Sequence, residues 1–416
     1  MKHITNYKPK DFAELLNVSV NRLQKAYKVE LKPTKQQMQK INQSLGVCRW
    51  LYNAYLAKNQ SLYQDFKDGK LDKKKAFISA NDFDKHINNE VKVLDEYKWI
   101  NDCGSKARKK AICNAELSFK KFFKGKAKFP KFKKKGKSKV GLYFPKNNKT
   151  DWKIERHRVN IPTLKWVKLK EFGYIPTNAK VINGTVTEQA GRYYVSIVCE
   201  VEETKNNKPK TEPIGIDLGL KDFAVMSNEL VKKNINKTSR VDKLEKKLKR
   251  EQVRLSRKYE CLKKQNKTKK GEATRQNIHK QIAKVQKLHR RLANIRTDYI
   301  NKCVSEIVEQ KPSSVTIEDL NVKGMMKNRN LSKAVAQQKF YEFRVKLEAK
   351  CKQNDIELRI VDRWYPSLKL CSCCGNIKKD LKLSDRVYIC NECGLVIDRD
   401  LQASINLREA KTYKIA

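Results

Sequence analysis

The chain has 416 residues, 39% of them hydrophobic, enough for two or three domains with cores of their own. Its 94 Lys and Arg against 45 Asp and Glu leave a net charge of +49, a self-repulsion that a polyanion relieves, so the expected partner is nucleic acid rather than a neutral or basic ligand. The first twenty residues lack an apolar core of signal-peptide length, and no run approaches the ~18 apolar residues of a membrane span, so a soluble cytoplasmic protein without membrane association is expected.

In chain order, residues 1–25 are polar and read as an N-terminal extension. The stretch 26–35 reads as a strand closed by Pro33, with Thr34 as N-cap of a helix that carries Ile41, Leu45, Cys48, Leu51, Tyr52 and Tyr55 at three- and four-residue spacing. Helical patterning continues, more weakly, over residues 60–124. Residues 120–139, KKFFKGKAKFPKFKKKGKSK, hold eleven lysines, Lys131, Lys133, Lys134 and Lys135 among them, with Phe122, Phe123, Phe129 and Phe132 interleaved. Gly and Pro keep most of this segment out of a helix, and lysines with aromatic rings suit a nucleic-acid backbone and its bases. A charged linker is the plainer reading. From 140 to 203, β-branched runs around "EQAGR" signal a hairpin within a small antiparallel sheet or barrel. Residues 203–213 read as a polar linker.

Two strands follow, "IGIDLGL" and "KDFAVMSN", and then a helical hairpin. Its second arm repeats Ile278, Ile282, Val285, Leu288, Leu292, Ile295 and Tyr299 in heptad fashion, its first carries Val241, Leu244, Leu248 and Leu255, and self-packing is the simpler alternative to oligomerisation. "SVTIEDL" reads as a strand, "QQKFYEFRVKLEAKCKQN" as a helix, "IELRIVDR" as a strand and "RDLQASINLREA" as a closing helix.

Seven of the twelve cysteines are scattered singly and five crowd into 371–393, which favours one metal site in a reducing compartment over a disulfide framework. Cys371-x2-Cys374, fifteen residues, then Cys390-x2-Cys393 is zinc-ribbon spacing, because each knuckle offers two thiolates from one tight turn to a tetrahedral Zn²⁺. Cys373 is a rival to its neighbours, but Cys371 and Cys374 make the two pair spacings equal. With four positions filled, such a zinc is structural.

Acids interrupt apolar strands. Asp217 lies inside "IGIDLGL", Glu318 ends "SVTIEDL", and Asp398 and Asp400 head the last helix. Each alone has an ordinary reading, as a strand exit, a helix N-terminal acid or a cap. Three converging carboxylates would hold Mg²⁺, and a pair of such ions activates water against a phosphodiester, so a nuclease is expected. No phosphate-binding P-loop and no paired-His motif competes, and the five histidines are isolated.

With these motifs in order, together with "YKVELKPTKQQ", "KGKAKFPKFKKKGK", "VDRWYPSLKLCSCCG" and "CNECGLVIDRDLQASINL", the sequence resembles the TnpB family of insertion sequences and the related miniature type V CRISPR effectors, over roughly residues 25–410. The resemblance implies a multidomain α+β protein. A RuvC-like, RNase H-type α/β nuclease domain would span 213–370, with the helical hairpin at 239–310, an inserted zinc ribbon at 371–393, and a last helix and tail at 394–416. A first wedge strand (26–35), a helical recognition domain (36–118) and a basic segment with a wedge β-barrel (119–212) would precede it. It further implies a guide RNA and a target DNA as partners, a short motif read beside the target, and cleavage by one site. Asp217, Glu318 and Asp400 take the places of the catalytic, Mg²⁺-binding acids, with two ions expected, and structural Zn²⁺ sits on the four cysteines. By region alone, Arg49, Tyr52 and Asn53 fall among nucleic-acid contacts. Gln402 stands where the family usually has Asn, and Asn406 is retained. A CRISPR effector of the same build, a non-cutting RNA-guided regulator and a conventional transposase are the alternatives, and the protein could act as monomer or homodimer.

Overall fold

The computed structural model describes residues 20–72, 75–146, 151–204, 211–268, 275–382 and 385–416. Most of the expected extension, most of the 203–213 linker and the tip of the helical hairpin lie outside them. The chain forms two compact units, 1–204 and 205–416.

In the first unit, β1 (Val20–Lys32) begins earlier than the expected strand start at 26. It pairs along its length with β7, which holds it in extended form through residues whose polarity alone reads as coil. Thr34 caps α1 (Lys35–Lys67) in a capping box with Gln37, as its side-chain oxygen and the Gln37 amide exchange bonds with each other's backbone N–H. The apolar stripe of α1 then buries against α3 (Ser105–Phe123), which follows the short α2 (Ala80–His86). The rest is strand: β2 (Gly141–Pro145), β3 (Lys153–Ile154), β4 (Arg158–Ile161), β5 (Lys165–Leu169), β6 (Lys180–Gln189) and β7 (Arg192–Thr204). They form one antiparallel sheet in the order β2-β6-β7-β1-β5-β4-β3, with the β6–β7 hairpin turning at Ala190–Gly191. Alternate strand residues join the helices in one core. The expected barrel is a sheet whose outermost strands, β2 and β3, do not pair with each other among the described residues.

The second unit is built on β8 (Ile214–Leu218), β9 (Asp222–Met226), β10 (Val231–Lys233), β11 (Ser314–Glu318), β12 (Glu357–Val361) and β15 (Lys414–Ile415), in the order β10-β9-β8-β11-β12-β15. β10, β9 and β8 form an antiparallel meander, and β8, β11 and β12 run parallel. The central strands read as continuous apolar runs because parallel strands are covered on both faces. β15 was not expected, since two residues carry no periodic signal. α4 (Ser239–Thr268) and α5 (Gln276–Glu309) pack on each other through Val241, Leu244, Leu248, Leu288, Leu292 and Ile295, so the heptad seam is occupied within the chain. The C-terminal half of α5, with the later α8 (Phe340–Gln353), covers the sheet, and Phe223, Phe340 and Phe343 fill the space between. Short α6 (Val322–Met325) and α7 (Ser332–Gln338) lead into α8. The cysteine module carries β13 (Val387–Ile389) and β14 (Val396–Asp398), and β14 runs directly into α9 (Arg399–Arg408). The module therefore extends past the expected boundary at 393.

Candidate active site and metal centre

β8 and β11 are adjacent, and their parallel register sets Ile216 opposite Ile317. Asp217 and Glu318, the next residue on each, thus stand side by side at the carboxyl ends of neighbouring strands, where ligands gather in open α/β sheets. α9 brings the third acid. It lies so close to β8 that a Cβ on Gly215 would sit 1.9 Å from the Ser404 carbonyl oxygen and 2.5 Å from the Arg408 nitrogen. Only glycine lets helix and strand meet there. Asp398 is used as the cap of α9, its carboxylate accepting from the Asp400 and Leu401 backbone N–H groups. Asp400 in the first turn is left for the site.

Asp217 lies within electrostatic reach of both other acids. Burial, then the Asp400 carboxylate, then Glu318 push the Asp217 carboxyl up to about 7, against the pull of the Arg399 guanidinium and the Leu218 amide. Burial and neighbouring Asp319 push Glu318 up as well. Asp319 itself is claimed elsewhere. Arg344 and Arg363 donate to its two oxygens at 2.6 and 2.9 Å and hold it below the usual carboxylate range, which separates it in role from Glu318. Asp400 is faced by Arg399 at 3.4 Å and Arg386 at 3.9 Å. A cavity of about 340 Å³ opens beside Glu318, lined by Leu218, Asn321, Tyr341 and the two Asp319-bound arginines. Of the three acids, Glu318 lines this cavity and Asp217 and Asp400 do not, and among the described residues only the four cysteines bring three or more ligand atoms within 4.8 Å of one another. A hard divalent cation takes few carboxylates together with water, so it does not need all three in contact.

The four sulfurs of Cys371, Cys374, Cys390 and Cys393 all lie within 4.8 Å of one another. Cys371 and Cys393 are 3.6 Å apart, and so are Cys374 and Cys390. Disulfide sulfurs lie at ~2.05 Å, whereas thiolates ~2.3 Å from a tetrahedral Zn²⁺ lie ~3.8 Å from each other, so the donor set fits zinc. The two knuckles are alike. The Gly375 N–H donates to the Cys371 carbonyl and the Gly394 N–H to that of Cys390, with both glycines at positive φ, 75° and 70°. Backbone N–H groups of Cys393 and Glu392 aimed at the Cys390 sulfur bring its thiol down to about 6. Exposed Cys373 stands outside this set.

The expected nucleic-acid residues divide. Lys131, Lys134 and Lys135 are exposed, and Arg49 is half-buried. Tyr52 and Asn53 make contacts within the protein. The Asn53 amide donates to the Lys133 carbonyl at 2.9 Å and accepts from the Lys133 N–H at 2.8 Å, pinning the basic segment to α1. Buried Tyr52 lies under the Lys133 ammonium, 3.9 Å from the ring centre, and burial pushes that ammonium down. The phenylalanines also pack among themselves: Phe129 meets Phe119 and Phe122 edge-on, and Phe123 stacks on Phe119. Phe132 stays open to solvent. Two polar residues of the last helix acquire a role that the sequence did not signal. Gln402 and Asn406 both donate to the Leu370 carbonyl, at 2.7 Å.

Three family models match the chain: one described as "Probable transposase" over residues 196–329, the TNB domain of Cas12f1-like proteins over 340–407, and a helix-turn-helix domain over 21–68. In this structure the last of these spans is a strand and one 33-residue helix. InsQ of Escherichia coli (strain K12), which carries the name of an RNA-guided DNA endonuclease, is 30% identical over 407 residues, covering 94% of this chain and 93% of InsQ. The chain belongs to the TnpB family. A Streptomyces pristinaespiralis relative of the same designation is 28% identical over 94% of this chain and 90% of its own length. Among solved structures, Cas12f1 in its complex with sgRNA and target DNA shares the fold, with a TM-score of 0.53 at 13% identity over 94% of this chain and all of Cas12f1. Among the described residues, no helix is long and apolar enough to cross a membrane.

Proposed function

We propose that this TnpB-family chain is an RNA-guided DNA endonuclease whose single cutting site is Asp217, Glu318 and Asp400. The observation that carries the reading is the meeting of two strand ends and one helix start, which raises the Asp217 carboxyl to about 7 through burial and its two acidic neighbours. The order of the second sheet, an antiparallel meander followed by parallel strands, supports an RNase H-type, RuvC-like domain. Names of full-length relatives support the guide RNA and the DNA target.

Mg²⁺ held by these carboxylates would supply Lewis-acid stabilisation of phosphate oxygens and a water acidic enough to attack near neutral pH. The chain's own residues supply the rest. Asp217 and Glu318 are fixed by strand register, so their separation does not depend on loop order. Asp400 is fixed by the contact of α9 with Gly215. Asp398 keeps the helix start wound. Cys371, Cys374, Cys390 and Cys393 would hold a structural Zn²⁺ that ties the module preceding α9 together. The exposed lysines 131, 134 and 135 neutralise phosphates without reading bases, which leaves sequence selection to pairing.

RNA that copurifies with the chain, expressed with its native flanking DNA, should be one dominant species ending in a variable segment. That complex should cut DNA matching the segment, and Asp217→Asn should bind the same RNA and cut nothing. Heterogeneous host RNA together with cleavage that ignores it would sink the reading. An origin of that RNA in a transposon end or a CRISPR repeat separates a TnpB of an insertion sequence from a miniature CRISPR effector.

A further inference from the structure

We propose that Gln402 and Asn406 are positioning residues that make the first cysteine knuckle the anchor for Asp400. The inference rests on the reading of Asp400 as a site residue. Both amides are buried, at 0% and 2% exposure. Gln402 and Asn406 are one turn apart on α9, and both donate to the same acceptor, the carbonyl of Leu370, which immediately precedes Cys371. Asn406 donates also to the Ser367 carbonyl at 2.7 Å. The hydroxyl of Ser372, inside the knuckle, donates to the Gln402 side-chain oxygen at 2.9 Å. The second side of the module reaches the same helix start: the Arg399 N–H donates to the Arg386 carbonyl, and the Arg386 side chain faces Asp400.

α9 is therefore held from two directions. Gly215 of β8 holds it by close backbone contact, and that hold belongs to the sheet. The cysteine module holds it through buried amides, and that hold lasts only while the knuckle keeps its shape. Around the sulfurs the module has little core of its own, Tyr388 with Leu381, Leu395 and Ile397. A module this small depends on its metal for folding. When the knuckle opens, two buried amides lose their shared acceptor, an arrangement too costly to persist in place. The helix turn carrying Asp400 must then shift or fray. The four-cysteine site thus governs the acidic site through a mechanical link, with no shared ligand.

Hydrogen exchange on the full-length protein tests the link without reference to cleavage. Removing zinc with a thiol-reactive mercurial and chelator should speed amide exchange in 399–408 by about tenfold or more, while 314–318 stays protected. Gln402→Met, close in volume but without the amide, should exchange fast at 399–408 before zinc is removed, and gain little when it is. Its zinc content should stay at one per chain. The Mg²⁺ needed for half-maximal cleavage should rise by about tenfold, as for other residues that orient a metal ligand. The milder Ser372→Ala, at an exposed position, keeps the test open if Gln402→Met fails to fold, and should move both readouts the same way by less. Unchanged exchange in 399–408 on zinc removal, or additive effects of zinc removal and Gln402→Met, would overturn the link. Wild-type protein that fails to cut while its exchange responds as expected would instead count against the reading of Asp400 and leave the link standing.

Discussion

Replacing Asp217 by Asn removes one charge and almost no volume, and the structure says which way stability should move. An acid whose folded pKa lies above its ordinary value holds its proton more tightly in the folded state, so ionising it costs stability. For Asp217 that cost begins near the ordinary value of 3.8, grows as pH rises, and is complete above about 7. At ~1.4 kcal/mol for each tenfold, the gap amounts to about 4 kcal/mol at pH 8 and about 1.5 kcal/mol at pH 5. The neutral amide of the variant escapes this cost and also spares Asp400 and Glu318 a neighbouring like charge. In zinc-loaded, Mg²⁺-free buffer without chelator, Asp217→Asn should therefore raise the melting temperature of the second unit at pH 8 by roughly 10 °C. The gain should shrink by more than half at pH 5. Mg²⁺ should raise the melting temperature of the wild type and leave the variant unmoved, and the variant should not cut. A variant that is no more stable at pH 8, or whose gain is the same at both pH values, would refute the claim that the Asp217 carboxyl is buried beside two further acids.

Gly215→Ala should destabilise the second unit by about 3 kcal/mol, read by chemical denaturation, because both atoms its Cβ would strike are backbone and neither can swing away. A near-neutral result would mean that α9 does not touch β8 as described. Lys131, Lys134 and Lys135 changed together to Ala should lower the slope of log affinity against log salt by about two to three for any nucleic acid, and Lys133→Ala, whose ammonium lies on Tyr52, should lower it least. Equal slopes before and after the triple change would make the segment a linker. Cys373→Ser should keep one zinc per chain by elemental analysis, whereas Cys374→Ser should lose it, and the reverse would place Cys373 in the ligand set.

What could be read from the sequence was what repeats locally. The stripe of α1, the two-armed seam of α4 and α5, and the paired knuckles each follow from spacing within a few residues, and each is present in the structure. What escaped was held by partners far along the chain. β1 starts at Val20 because β7, some 180 residues on, pairs with it. Asn53 looks like a surface amide until the backbone of Lys133 takes both its bonds. Glu318 and Asp319 are adjacent acids that no pattern distinguishes, and only Arg344 and Arg363, brought by later elements, neutralise one and leave the other.

Asp217 belongs to neither group. Its signal was a broken rule: a carboxylate in an apolar strand violates burial, and the violation raised the expectation of a compensating partner. A single violation has many ordinary resolutions, and a nearby arginine is the commonest. The structure supplies the opposite, since the charges nearest to Asp217 that matter most are two further carboxylates, with Arg399 a lesser opposing influence. A fold that sets β8 beside β11 in parallel register, and then uses a glycine to bring α9 onto β8, concentrates the repulsion that an arginine would have relieved. Such an arrangement opposes folding of the metal-free chain, and a cation bound beside Asp217 would offset that cost, which is why Mg²⁺ and the Asp217→Asn variant should act on stability in the same direction.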